Sequence, residues 1–421
     1  MTRDSSPTET VNDPRRRRFL QQSLAGAGIL AGGVGLWGCG APRATAADSA
    51  LEPAKLAEAA RNRMRVRVGD TEVWIPKGTR IREVARSGQR PASGSTYRWH
   101  PDPDGGATFP TPDNGWIYVS NSEVREPGEG GVGALRFNSY GEVVDAYGIC
   151  SGTEANCAGG ATPWGSWLTC EESDRGQVYE CDPFGEREAE LVPALGTYKH
   201  EAVAVDPVNG YLFLTEDEED GLLYRFTPQN WPKDGKPDLS TGTLEALIAD
   251  SDPRQGETHV RWEPVPDPLF EGGTPTRHQL NEKTTFDGGE GIWYHEGQVF
   301  FATKGDNRVW LLEPKSNRLQ VVYDRKRGSL DPTIADVDNV TVSRRGEVLV
   351  AEDGPEMRVV VLGADMVATP IVDLLGHRDS EICGPAFSPD GDRLYFASQE
   401  GQAGTPDDGR IYELNGILSL V

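Results

Sequence analysis

The sequence predicts an all-β fold, a six-bladed β-propeller with a long insertion loop and an N-terminal extension, and three observations carry that expectation. First, a pattern recurs from Pro112 onward: a short apolar strand ends in a small or hydroxyl residue, acids or amides follow, and a Gly-containing turn leads into a strand rich in Tyr, Trp or Phe. Its six copies begin at Tyr118 (YVSNSE), Trp167 (WLTCEE), Phe213 (FLTEDE), Phe301 (FATKGD), Leu349 (LVAEDG) and Tyr395 (YFASQE). Second, the start-to-start spacings are 49, 46, 88, 48 and 46 residues, and a period in the forties with several short strands per unit is the signature of a propeller. Third, 50 Gly and 30 Pro supply tight turns, and no sustained helical periodicity competes with them.

Taken in order, residues 1–46 read as an export segment. Arg15-Arg16-Arg17-Arg18 precede Phe19-Leu20 and a small-residue apolar run from Ser23 to Leu36; paired arginines before Phe-Leu are the twin-arginine pattern. The run is too short and too rich in Gly and Ala to span a bilayer well. Two cleavage readings stay open: a lipobox-like Leu36-Trp37-Gly38-Cys39, with a lipid anchor on Cys39, or cleavage after Ala46. Either leaves residues 47–421 as one domain outside the cytoplasmic membrane, periplasmic, at the cell surface or secreted.

Residues 47–110 are polar and hold one expected strand pair, around Met64 to Val68 and Thr71 to Ile75. The 88-residue spacing contains an insertion of about forty residues, placed at about 228–285 as a polar, Pro-rich loop or small cap. In four units a second element precedes the first: His200-Glu201-AVAV, Gly289-Glu290-GIWY, Asp338-Asn339-VTV and Cys383-Gly384-PAF. Hairpin turns separate the two. If this earlier strand is innermost and runs down, the next returns up, so both acid sets emerge on one face near the central channel.

The 42 basic and 66 acidic side chains give a net charge of −24, and loss of residues 1–38 makes it about −26. Such a surface repels nucleic acid, and with no heptad or exposed apolar helix a monomer is expected. A solvated turn is the common place for a single acid. Six radial units change that weighting, because they aim Glu123, Glu171, Glu172, Glu201, Glu216, Asp217, Glu290, Asp338, Glu352 and Asp353 toward one small volume. Like charges so crowded repel strongly, and cations relieve them.

Carboxylate and carbonyl oxygens suit calcium or magnesium, whereas a thiolate from Cys170 points to a transition metal. A disulfide remains the other fate of Cys170 in an exported chain. Five cysteines follow Cys39, so at least one lacks an intramolecular partner; Cys150 with Cys157 and Cys181 with Cys383 are pairings left open. Lys304 and Arg308 stand at the corresponding strand end of the fourth unit and offer charge to a phosphate or to neighbouring acids. No HxH or HExxH spacing occurs, which gives a histidine-based zinc site little support, and no GxSxG serine elbow is present.

The blocks NCAGG-TPWGSWLTCEE (156–172), YKHEAVAVDP (198–207), LTEDEEDGLLYRF (214–226), GGEGIWY (288–294), TKGDNRVW (303–310), DNVTVS (338–343), VAEDG (350–354) and GPAFSPDGDRLYF (384–396) resemble the PhoX family of exported alkaline phosphatases. The resemblance spans about residues 112–414. It implies a six-bladed propeller whose central face holds Fe3+ and Ca2+ and hydrolyses small phosphate esters. Cys170 would then ligate iron, acids of the set above would ligate iron or calcium, and Asn156, Lys304 and Arg308 would meet the phosphate. Two other readings rest on the same acids: a calcium-dependent propeller hydrolase such as a lactonase, and a non-catalytic calcium-stabilised binding module.

Overall fold

Six innermost strands stand around one axis in this computed structural model, which describes residues 55–233, 235–326, 334–363 and 367–420. They are Pro103–Pro110, Asn156–Ala161, His200–Asp206, Gly289–His295, Val337–Val342 and Ile382–Phe387, and each packs against the next in cyclic order until the sixth meets the first. The export segment, Cys39 and both cleavage readings lie outside the described residues.

From each inner strand an antiparallel meander runs outward. The second strands are Trp116–Ser122, Trp167–Glu171, Tyr211–Glu216, Gln298–Thr303, Val348–Glu352 and Arg393–Ser398, and each of the six copies of the repeated motif begins in one of them and runs past its end. Alternating apolar positions of facing sheets interleave to form the core, as with Phe301 and Trp310 stacked at 5.9 Å against Phe286. Closure of the ring uses the N-terminal region: Arg80–Arg86 pairs with Arg410–Asn415 and completes the last sheet. The expected pair Arg63–Val68 and Thr71–Pro76 is present and extends the fifth unit through Ala368–Leu375.

Two features differ from expectation. The segment assigned to the insertion contains the fourth strand of its own unit, Gly242–Ala249, and then Thr258–Pro264. The latter bonds the outer strand Arg318–Asp324 of the next unit, joining two units into one nine-stranded sheet. Second, the inner strands Pro103–Pro110 and Asn156–Ala161 have no β-branched pattern to announce them. They are Gly- and Ala-rich because the channel is narrow there: a Cβ on Gly105 would stand 2.5 Å from the Ala158 Cα, and one on Gly160 1.9 Å from the Val203 carbonyl oxygen. Glycine within a strand marks such close backbone approach.

Candidate metal centre

The second residue of every inner strand comes to the same end of the channel. In cyclic order these are Asp104, Cys157, Glu201, Glu290, Asp338 and Cys383, all buried. A β-bulge lies at each of them, breaking the pairing with the second strand between Pro103 and Gly106, Asn156 and Gly159, His200 and Val203, Gly289 and Ile292, Val337 and Val340, and Cys383 and Ala386. A bulge inserts one extra residue and re-aims the side chains around it; in five units the break encloses the ring residue, and in the sixth it begins just after Cys383.

A second ring comes from the residue just past each second strand: Glu123, Glu172, Asp217, Lys304, Asp353 and Gln399. The two rings are tied by backbone. In each unit the N–H of the second-ring residue donates to the carbonyl two residues before the first-ring residue, at Asp102, Ala155, Lys199, Gly288, Asp336 and Glu381, over 2.8–3.2 Å. Four of those acceptors, Asp102, Ala155, Gly288 and Asp336, hold positive φ, a conformation that costs a non-glycine residue energy and recurs at functional sites.

Among the described residues, four triads of ligating atoms each fall within 4.8 Å of one another: Asp104, Glu123 and Cys157; Cys157, Glu172 and Glu201; Glu201, Glu290 and Asp338; and Asp104, Glu381 and Cys383. Glu201 links two of them, and neither of its buried carboxylate oxygens has a hydrogen-bond partner. The neighbouring Cys157 thiol instead points to Asp104 Oδ2, 3.7 Å away. Burial first, and then the carboxylates of Glu172 and Asp338, push the Glu201 carboxyl well above its usual range. Burial followed by the Glu201 charge does the same for Glu290, and burial followed by Asp338 does so for Glu381. For Asp338, burial outweighs the nearby Lys304 cation and raises the carboxyl to about 7.

A buried, unpaired carboxylate costs several kcal/mol unless it meets a proton or a cation. Protein cations neutralise only part of this charge. Lys199 Nζ bridges Glu172 (2.8 Å) and Asp217 (2.7 Å), Arg125 reaches Glu123 (2.5 Å) and Glu172 (3.3 Å), and Lys304 pairs with Asp353, with Glu381 at 3.9 Å. Burial opposes the Lys304 charge, but Glu290, Asp338, Glu381 and Asp353 outweigh it and keep the ammonium protonated. The remaining oxygens, with one or two thiols, form a donor set that fits metal ions: hard along Glu201, Glu290 and Asp338, softer at Cys157.

The structure brings Glu123, Glu172, Glu201, Asp217, Glu290, Lys304, Asp338 and Asp353 together, and it corrects the placement of six other expected residues. Cys170 is fully buried with Leu168, Val178, Tyr198 and Leu214 between two sheets; strand alternation gives it the parity of Leu168, away from the channel. Glu171, Glu216 and Glu352 are each the last residue of a second strand, one position out of phase with the second ring. They close local turns. Glu171 accepts from the backbone N–H of Glu154 and Gln177, Glu216 accepts from Leu222 N–H and the Tyr224 hydroxyl, and Glu352 accepts from Ala335 N–H and the Arg358 guanidinium. Arg308 pairs with Asp306 and with Asp324 (3.1 Å) at the outer strands. The Asn156 amide is spent on Thr153 and Thr169, while its neighbour Cys157 enters the centre.

Of the cysteines whose pairing the sequence leaves open, Cys157 and Cys383 both sit in the first ring, and Cys150 and Cys181 are neighbours in one apolar cluster. Asp104, Glu381, Gln399, Lys199 and Arg125 carry no expectation from the sequence, and the side chains of Cys157 and Cys383 figure there only as disulfide partners. A near-constant offset could have found Cys157 and Cys383: the first-ring residue precedes the second-ring residue by fourteen to sixteen residues in five of the six units, as Asp338 precedes Asp353.

An antiparallel propeller with a buried ring of carboxylates and thiols at one end of its channel defines a class of metal-dependent β-propeller proteins. The chain belongs to the PhoX family: the family model for alkaline phosphatase PhoX matches residues 138–402, more than half of the sequence, and marks the protein as a phosphatase. Among solved structures, PhoX of Pseudomonas fluorescens in complex with vanadate, a transition-state analogue, superposes with a TM-score of 0.70 at 15% identity, covering 85% of this chain and 98% of the other. A gluconolactonase from Xanthomonas campestris aligns with a TM-score of 0.43 at 13% identity over 83% of this chain and 91% of that one. A Bacteroides thetaiotaomicron protein of unknown function gives 0.46 at 10% identity, over 84% and 83%. Comparison with curated proteins finds no match.

Proposed function

We propose that this protein is an exported phosphatase that hydrolyses small phosphate monoesters on the acidic face of its propeller, with calcium and a cysteine-bound iron held by the two rings. The observation that carries the reading is Glu201: both its oxygens are buried without a partner, and it links the thiol-containing triad to the all-carboxylate one. Cys157, Glu172 and Glu201 would hold the iron, and Glu201, Glu290 and Asp338 would hold calcium. When bound, such ions supply Lewis acidity that neutralises phosphoryl oxygens as charge builds on them.

The protein's own groups perform the remaining work. Lys304, Lys199 and the exposed Arg125 supply positive charge at the mouth of an otherwise negative face, attracting the phosphate dianion and orienting its oxygens. Each cation is held by second-ring acids, so its position is set before the ester arrives. The bulged inner strands keep the ligands on rigid backbone. Beyond the ring, Gly159, Ala202, Ile292 and Pro385 line an apolar cavity of about 270 Å³ that gives the charged face a low-polarity floor.

Export ahead of function agrees with the twin-arginine pattern in the first forty residues, since that route carries folded proteins. Among the described residues no helix is long and apolar enough to cross a membrane. The test is phosphate release from a chromogenic monoester by the purified mature chain, with and without a chelator. Release that survives complete removal of metal refutes the proposal.

A further inference from the structure

We propose that Cys383, with Asp104 and Glu381, forms a second thiolate metal site for a transition ion, sharing Asp104 with the triad of Asp104, Glu123 and Cys157. The inference rests on the reading of the two rings as a metal centre, and it goes beyond a single cysteine ligand.

Strand register carries the argument. Ile382 pairs with Ser398 as Pro103 pairs with Ser122 and Asn156 with Glu171, each at the last residue of the second strand, and a bulge follows within one residue of the same point in all three strands. Cys383 therefore occupies the position held by Asp104 and Cys157. The ring thus has a Cys–Asp–Cys arc across three adjacent units and an all-carboxylate arc across the other three. Hard cations suit the second arc, and ions that accept sulfur suit the first.

The geometry of the arc supports this independently. The Cys383 sulfur and one oxygen each from Asp104 and Glu381 lie within 4.8 Å of one another. Asp104 is 1% exposed. Its Oδ2 accepts from Gln399 Nε2 at 2.8 Å and from the Cys157 thiol, while its Oδ1 is buried with no partner. The Cys383 thiol is committed only to the Pro103 carbonyl at 3.4 Å. A cysteine that merely filled space in the apolar cluster of Tyr118 and Tyr395 would have no need of the buried Asp104 and part-buried Glu381 carboxylates beside it.

On binding, the sulfur–hydrogen bond of Cys383 breaks and a sulfur–metal bond forms. The proton leaves to buffer, and no change of oxidation state is required.

The experiment titrates the metal-stripped full chain with Cd2+ alone and reads the thiolate-to-cadmium charge-transfer absorbance at saturation. Cys383→Ser and Cys383→Thr are each expected to remove about half of the ring's signal, Cys157→Ser the other half, and the double variant all of it. Cys170→Ser should change nothing. Unfolding would remove both halves together, so loss of one half separates loss of a ligand from loss of the fold. If both Cys383 variants keep the full signal while Cys157→Ser abolishes it, the second site is refuted and the proposed function stands. If Cys157→Ser leaves the signal whole, both readings fail.

Discussion

Replacing Asp338 by Asn should stabilise the metal-free protein at alkaline pH while weakening its response to calcium. Asp338 is 4% exposed, and its carboxyl titrates near 7 in the folded chain against 3.8 as the ordinary value. A carboxyl raised by folding stabilises the fold fully below its unfolded pKa, and that contribution is lost as pH rises through the folded value. At 1.36 kcal/mol per unit, the raised carboxyl of Asp338 destabilises the metal-free protein by about 4 kcal/mol at pH 8, where it must ionise in place, and by about 2 kcal/mol at pH 5, where it must take up a proton on folding. Asn carries no charge, so the variant avoids this cost. The gain corresponds to a rise of about 5 °C in Tm for a chain of this size. Thermal unfolding in a chelator at pH 5 and 8, then in excess calcium, reads the effect. Expected are a Tm above wild type in the chelator, a larger gap at pH 8, and a smaller calcium-induced increase. A variant less stable than wild type in the chelator at pH 8 would refute the reasoning, because it would mean that Asp338 stabilises the fold without a cation.

His100 is buried against Trp99 and Ser120, and burial lowers its pKa to about 3. A base whose pKa is lowered contributes stability above its unfolded value near 6.5 that is lost as pH falls. Between pH 7 and 5, wild type should therefore lose about 2 kcal/mol more than His100→Asn in denaturant titrations. Lys304→Ala should raise KM for a phosphate monoester about tenfold or more, since it removes an ammonium from the mouth of the site. Arg308→Ala should lower Tm and leave KM at the wild-type value, because its partners are Asp306 and Asp324. The neighbouring thiols of Cys150 and Cys181 should be joined in protein recovered from outside the cytoplasm; peptide mapping without reduction that finds both as free thiols would contradict this.

The repeat was legible because the second strands obey the rules that make patterns visible: apolar alternation, then polar residues, then glycine. The inner strands were half legible. Those carrying Glu201, Glu290, Asp338 and Cys383 have recognisable strand character, whereas Pro103–Pro110 and Asn156–Ala161 were shaped by backbone crowding, which favours Gly and Ala over any strand signal. Adjacent acids such as Glu171-Glu172 and Glu352-Asp353 read alike in sequence, yet a one-residue difference in phase sends the first to a turn and the second to the centre. The same parity misdirects Cys170, whose neighbours Glu171 and Glu172 resemble a ligand cluster while its side chain shares a face with Leu168. Bulges decide where Cys157 points, and no local residue pattern announces a bulge.

The most direct test compares Cys157→Ser and Cys170→Ser for metal content as isolated and for phosphate release. The account predicts that Cys157→Ser loses transition metal and most activity while keeping its fold, and that Cys170→Ser keeps both metal and activity at the expense of some stability. The reverse pattern, with metal retained in Cys157→Ser and lost in Cys170→Ser, would contradict the placement of the centre on the inner-strand ring.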